Sequence, residues 1–335
     1  MNLRLLPRDN ISKLLLKLAE EGSVFYPETT GDKGHLVKFE PDKELNPDFV
    51  KIRTAENIKH FLFPSRDMVA RFPQDASRRP PENRYLVGVK ACDLRGVDVY
   101  DRVFIKWEPA DPRYHEQREK TVIIAADCPK PEASCFCNLV GVNPYAESTC
   151  DISFTPLLNG LLFDVLTEKG EAVVAKAEDL FRTAGKDEEE ERETIRKKAV
   201  RQLQEINNKH LKDRLGYFVG QADKKAVHAA RDDCVECFAC LHACPTCYCF
   251  LLADHKRGKE IERIRFWDAC YYAAYARVAG GANPRGKMDE RFWNRFNCKF
   301  NYFHQYEGLL ACSGCGRCYL GCSAKIDIRE ILLHL

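Results

Sequence analysis

The chain has 335 residues, enough for two domains with a hydrophobic core in at least one. Apolar residues make up 45% of it, which excludes a disordered chain, and 52 basic against 50 acidic residues leave a net charge of +2. That balance lacks the basic excess expected of a protein built around nucleic acid.

No run approaches the roughly 20 continuous apolar residues of a membrane span, so no membrane insertion is expected. Residues 1–25 carry no signal-peptide pattern: Lys13 and Lys17 interrupt the apolar run, and no small-residue cleavage site follows. A cytoplasmic protein is expected. The same segment predicts a short amphipathic helix, with Asn10 as N-cap, Ile11, Leu14, Leu15 and Leu18 on the buried face, and Gly22 as its stop.

Residues 85–91 and 121–126 are short apolar, β-branched runs and predict buried strands. Residues 161–167 and 172–175 flank Lys169-Gly170 and predict a hairpin. Residues 1–180 therefore read as a mixed α/β domain. Residues 181–214 read as a linker built on one charged helix. Its acidic block, 187–191, passes into 192–198, and Ile195, Ala199, Leu203 and Ile206 recur at helical spacing. Acid near the N-terminus with base further on is the mark of a solvated helix face.

Residues 215–335 read as a second domain rich in cysteine. The chain holds 17 cysteines, an odd number in a sequence without an export signal, and clustered thiols in that setting bind metal or do redox chemistry rather than form disulfides. Two runs share the spacing C-x2-C-x2-C-x3-C. The first is Cys234, Cys237, Cys240 and Cys244, followed by Pro245; the second is Cys312, Cys315, Cys318 and Cys322. This is the bacterial ferredoxin pattern. Three close thiolates wrap one corner of a cubane, and the fourth cysteine reaches the other cluster. The expected ligand sets are Cys234, Cys237, Cys240 and Cys322 for one [4Fe–4S] cluster, and Cys312, Cys315, Cys318 and Cys244 for a second. Zinc knots use two C-x2–4-C pairs with a longer spacer, and four cysteines within eleven residues do not fit that layout. Ser323 follows Cys322 where the pattern has proline. The expected class is α+β: an N-terminal mixed α/β domain followed by a mainly helical, ferredoxin-like domain with two [4Fe–4S] clusters and a large insertion between the runs.

The N-terminal half holds a further set. Cys92 and Cys128 end the two expected strands, and Cys135 and Cys137 lie in the loop beyond. If the strands are parallel neighbours their C-terminal ends converge, where open α/β sheets bind ligands. These four thiols are either ligands of a third [4Fe–4S] cluster or small buried side chains, and zinc is also chemically open. Cys150 belongs to a separate strand. Cys247, Cys249 and Cys270 are expected to pack under the clusters, Cys298 to be structural, and His242 to be exposed or beside ligands. None of the nine histidines forms a metal-binding H-E-x-x-H pattern.

The order of these motifs resembles the β subunits of cytoplasmic sulfhydrogenases (group 3b nickel–iron hydrogenases) and the 4Fe–4S dicluster subunit of anaerobic sulfite reductase. The matching pieces are Phe63-Pro-Ser-Arg66, Gly88 to Gly96, Asp127-Cys128, Cys135 to Gly141, Cys244 to Phe250, Trp267-Asp-Ala-Cys270, Ala279 to Arg285, and Cys312 to Cys318. Departures are Ser323 and the sequence Asn297-Cys298-Lys299, where a histidine is expected before the lysine. The resemblance implies an electron-transfer subunit, not an enzyme by itself, joining a flavin-containing NAD(P)-linked reductase subunit to a hydrogenase or reductase subunit in an anaerobic complex. It also favours the third cluster. The alternative is a self-sufficient flavin-binding oxidoreductase. No G-x-G-x-x-G follows a strand, so neither FAD nor NAD is expected in this chain, and no catalytic residue is expected.

Overall fold

The computed structural model describes residues 3–51, 53–73, 81–208 and 225–333. The end of the expected linker, 209–214, lies outside the described residues.

An eight-stranded mixed sheet carries the N-terminal half, in the order β3-β2-β5-β6-β7-β8-β1-β9. Its strands are β1 (Arg4–Pro7), β2 (Ser23–Thr30), β3 (Lys33–Lys38), β5 (Arg84–Val89), β6 (Thr121–Ala126), β7 (Ile152–Pro156), β8 (Gly160–Val165) and β9 (Arg182–Thr183). β2, β5, β6 and β7 run parallel. The β-branched and apolar runs of β5 and β6 are buried on both faces, as parallel strands covered by helices require. Val87 pairs with Ile124 and Val89 with Ala125, the register shifting at Gly88, whose φ of +83° only glycine adopts freely.

Helix α1 (Ile11–Ala19) buries Leu14, Leu15 and Leu18 against this sheet. Asn10 does not cap it; its side-chain amide donates instead to the Leu180 carbonyl at 2.9 Å. The helix ends before Gly22, which lies against the Asn83 backbone. The expected hairpin at 161–175 is not formed. β8 pairs antiparallel with the preceding β7, and residues 168–176 form a helix, α5 (Glu168–Lys176). The reason is local. The Thr167 hydroxyl accepts from the Gly170 amide and caps the helix, with Glu168 and Glu171 in its first turn. Gly170 is there for closeness and not for a turn: a Cβ would stand 2.3 Å from the Asp151 carbonyl oxygen.

Between these elements lie α2 (Lys59–Leu62), α3 (Ala91–Asp101) with a π-helical turn over Arg102–Lys106, and α4 (Pro112–Glu119), N-capped by Asp111. The charged helix is α6 (Lys186–Ile206). It buries Ala199 and Leu203, and Arg196 forms an ion pair with buried Asp127 at 2.7 Å, so one face is tied to the end of β6.

The remaining helices are α7 (Lys225–Asp232), α8 (Ala239–His242), α9 (Met288–Asn297), α10 (Phe303–Glu307), α11 (Arg317–Leu320) and α12 (Ile328–Leu333). The segment between the two cysteine runs is not wholly helical. It forms the hairpin β10 (Phe250–Arg257) and β11 (Glu260–Trp267), and β11 pairs with β4 (Arg66–Phe72) from the N-terminal half. One buried cluster joins Ala91 and Cys137 to Leu203, Val227, Phe292 and Ile331, so the two halves of the chain share a core. Among the described residues no helix is long and apolar enough to cross a membrane.

Candidate iron–sulfur sites

The first run begins after α7 and turns through α8. Glu236 and Phe238 adopt positive φ, of 52° and 58°, which bends the backbone back between cysteines. Cys234, Cys237, Cys240 and Cys322 lie together, each of the last three acting electrostatically on Cys234. They line one cavity with Cys318, Tyr271, Phe292 and Phe296. Burial pushes the Cys234 and Cys240 thiols up. Exposed Cys237 is held below its ordinary range, first by the Ala239 amide, which donates to its sulfur, and then by the amide and hydroxyl of Ser323. Proline at position 323 would have neither donor.

The second run forms the complementary group. Cys315, Cys312 and Cys244 all act on Cys318, and burial raises Cys318 to about 12 and Cys312 to about 11. Cys244 goes the other way. The neighbouring Cys247 thiol donates to its sulfur, and the Lys299 ammonium donates at 3.3 Å, so its thiolate is favoured. Cys322 thus lines the cavity of the first trio, and Cys244 acts on Cys312 and Cys318 of the second run as well as on Cys240 of its own.

Cys92, Cys128, Cys135 and Cys137 gather at the C-terminal ends of β5 and β6 and line one cavity, together with Cys315 of the second run. Lys90, at the end of β5, is fully buried there and donates to the carbonyls of Phe49 and Asp127 at 2.5 and 2.9 Å. Burial pushes all four thiols up, Cys128 to about 12. Arg53 reaches in from the loop after β3, donating to the Cys135 sulfur at 3.4 Å and to the Cys315 carbonyl. Cys150 is buried apart from this group, in the core under β6.

Two glycines let these groups approach one another. Gly314, at φ +61°, lies against the Cys137 amide, where a Cβ would stand 2.4 Å away, and its carbonyl accepts from the Phe136 amide at 2.8 Å. Gly96 of α3 admits the Pro245 carbonyl, 2.5 Å from where its Cβ would stand.

The donor chemistry fits iron–sulfur cubanes. Such a cluster takes thiolates spread round a dry cavity, with N–H groups and cations aimed at sulfur. Buried Arg295 faces Cys240 and Cys318, and its Nε finds no protein acceptor. The same guanidinium also interacts with the buried Tyr271 side chain. Sequence reasoning missed these cations. Arg53, Lys59, Arg295 and Lys299 meet the thiols only through the tertiary fold, and no spacing rule marks them. His242 is half-buried, hydrogen-bonded to Tyr272 at 3.0 Å and stacked on Trp267.

A family model described as a 4Fe-4S dicluster domain matches residues 233–326. The chain is 30% identical over 321 residues to the sulfhydrogenase 2 subunit beta of Pyrococcus furiosus, an alignment covering 94% of this chain and 93% of that protein.

Proposed function

The chain belongs to the sulfhydrogenase β-subunit family, and from that premise we propose that it relays electrons, joining a flavin-containing, NAD(P)-linked subunit to a catalytic one. The coarser part, iron–sulfur electron transfer within a multi-subunit oxidoreductase, rests on the dicluster match and the relative. One observation supports the finer part: the thiols assigned to the three groups lie near one another through shared residues. Arg295 bridges the first and second, and Cys315 and Gly314 bridge the second and the N-terminal one.

In this reading Cys234, Cys237, Cys240 and Cys322 hold one [4Fe–4S] cluster, Cys312, Cys315, Cys318 and Cys244 a second, and Cys92, Cys128, Cys135 and Cys137 a third. Bound clusters supply one-electron carriers. The protein's own residues hold them at fixed spacing, keep water from the buried sulfurs, and place N–H donors and cations that favour the reduced, more negative state. Proton chemistry at a substrate has no assigned residue.

The test uses anoxically purified full-length chain. Dithionite reduction should bleach its visible absorption, and methyl viologen should reoxidise it, while the chain alone turns over neither hydrogen, sulfite nor NAD(P)H. Sustained NAD(P)H oxidation by the isolated chain, with a flavin spectrum, would instead establish a self-sufficient oxidoreductase.

A further inference from the structure

Cys247, Cys249, Cys270 and Cys298 belong to none of the three groups above. They come from separate places: the tail of the first run, the turn after β11, and the π-helical turn Cys298–Tyr302 after α9. The fold brings them into one buried group. Phe250 pairs with Trp267, and the Asp268 amide donates to the Cys249 carbonyl at 3.0 Å, which draws Cys249 alongside Cys270. The two side chains are hydrogen-bonded. Tyr248, between Cys247 and Cys249, reaches the Cys298 sulfur with its hydroxyl at 3.8 Å. Cys249, Cys247 and Cys298 all act on Cys270.

A second observation concerns the cations around these thiols. Two lysines are buried beside them. Lys59 is 1% exposed, its ammonium 3.8 Å above the Trp267 ring, and the anionic groups that act on it most are Cys247, Cys244 and Cys249. Lys299 is 3% exposed, donates to the Cys244 sulfur, the Thr246 hydroxyl and the Ala311 carbonyl, and is acted on by the Cys244, Cys247, Cys312 and Cys298 thiols. Burying two ammoniums costs stability unless an anion answers them. Protonated thiols carry no charge. A cubane with four thiolate ligands is a net anion.

We propose that Cys247, Cys249, Cys270 and Cys298 hold a further [4Fe–4S] cluster, with Lys59 and Lys299 as its countercharges. Each bond from sulfur to iron replaces an S–H bond, and the proton leaves to solvent. The site adjoins Cys244 of the second run through Lys299, so it extends the chain of carriers. The proposal rests on the iron–sulfur reading of the protein but not on the N-terminal group.

The experiment compares full-length wild type with Cys249→Ser/Cys270→Ser, both purified anoxically and reconstituted with iron and sulfide. The variant should lose about four irons and as many sulfides per chain, one cubane's worth, and a Cys150→Ser control should lose none. Equal iron in variant and wild type overturns the proposal and leaves the dicluster reading standing; a chain without iron overturns both. A stoichiometric zinc, or a Cys249–Cys270 disulfide in the anoxic protein, also overturns it. Should the double variant fail to fold, Cys298→Ala decides: it should lose about four irons per chain, and iron equal to wild type contradicts the assignment.

Discussion

Arg317 on α11 and Asp93 on α3 form a buried bidentate ion pair across the two halves of the chain, Nη1 to Oδ1 at 2.8 Å and Nη2 to Oδ2 at 3.2 Å. The guanidinium also faces Cys315 and Cys92, one thiol from each of two neighbouring groups. The pair therefore fastens the first turn of α3, which carries Cys92, to the second ferredoxin run.

Breaking a buried pair from one side leaves an uncompensated charge, at a cost of about 3–5 kcal/mol. Arg317→Met should lower stability by that order in anoxic urea unfolding followed by tryptophan fluorescence. Arg317→Met/Asp93→Asn should recover part of the loss. A single variant as stable as wild type would show that the pair carries no structural weight.

Both ferredoxin runs are legible in the amino-acid sequence because each is local, so spacing alone marks it. The apolar stretches ending in Cys92 and Cys128 likewise mark β5 and β6 as buried strands, while their parallel pairing is seen only in the fold. The hairpin expected at Lys169-Gly170 fails because a glycine after lysine looks like a turn, when Thr167 caps a helix and Gly170 makes room for the Asp151 carbonyl. The grouping of Cys249 with Cys270 depends on the β10–β11 register, and that of Cys298 on a π-helical turn. Neither leaves a periodic trace. Lys59 and Lys299 sit on short helical segments whose burial against thiols follows only from long-range packing.

Gly314→Ala tests the close approach of the second run to the N-terminal group. Its Cβ would meet the Cys137 amide at 2.4 Å, in a backbone conformation that alanine resists. The cost should be about 1–3 kcal/mol, and iron at the N-terminal group should fall. Gly280→Ala is the matched control: φ is +82° but nothing lies within 4 Å of a Cβ, so only backbone strain is added. Equal effects of the two substitutions on iron content would remove the argument from contact.

Ser323 replaces the proline of the ferredoxin pattern and donates twice to the Cys237 sulfur. Hydrogen bonds to a ligating sulfur stabilise the reduced cluster. Ser323→Pro removes both donors and Ser323→Ala only the hydroxyl. The midpoint potential of the cluster at Cys237 should fall in the order wild type, Ser323→Ala, Ser323→Pro, measured by redox titration with electron paramagnetic resonance. Identical potentials would mean that these bonds do not tune the cluster.

Two separate iron–sulfur clusters with crossed ligands, one for each ferredoxin trio, are the core of the proposed relay. The most direct measurement is iron, sulfide and zinc analysis, with reduced-state paramagnetic resonance, on anoxically purified wild type, Cys237→Ser and Cys315→Ser. The wild type should contain iron and sulfide in equal amounts with little zinc, and show coupled clusters. Each variant should lose a different one of the two signals and with it the coupling. Zinc with little iron, or two variants that both retain the coupled spectrum, would contradict it.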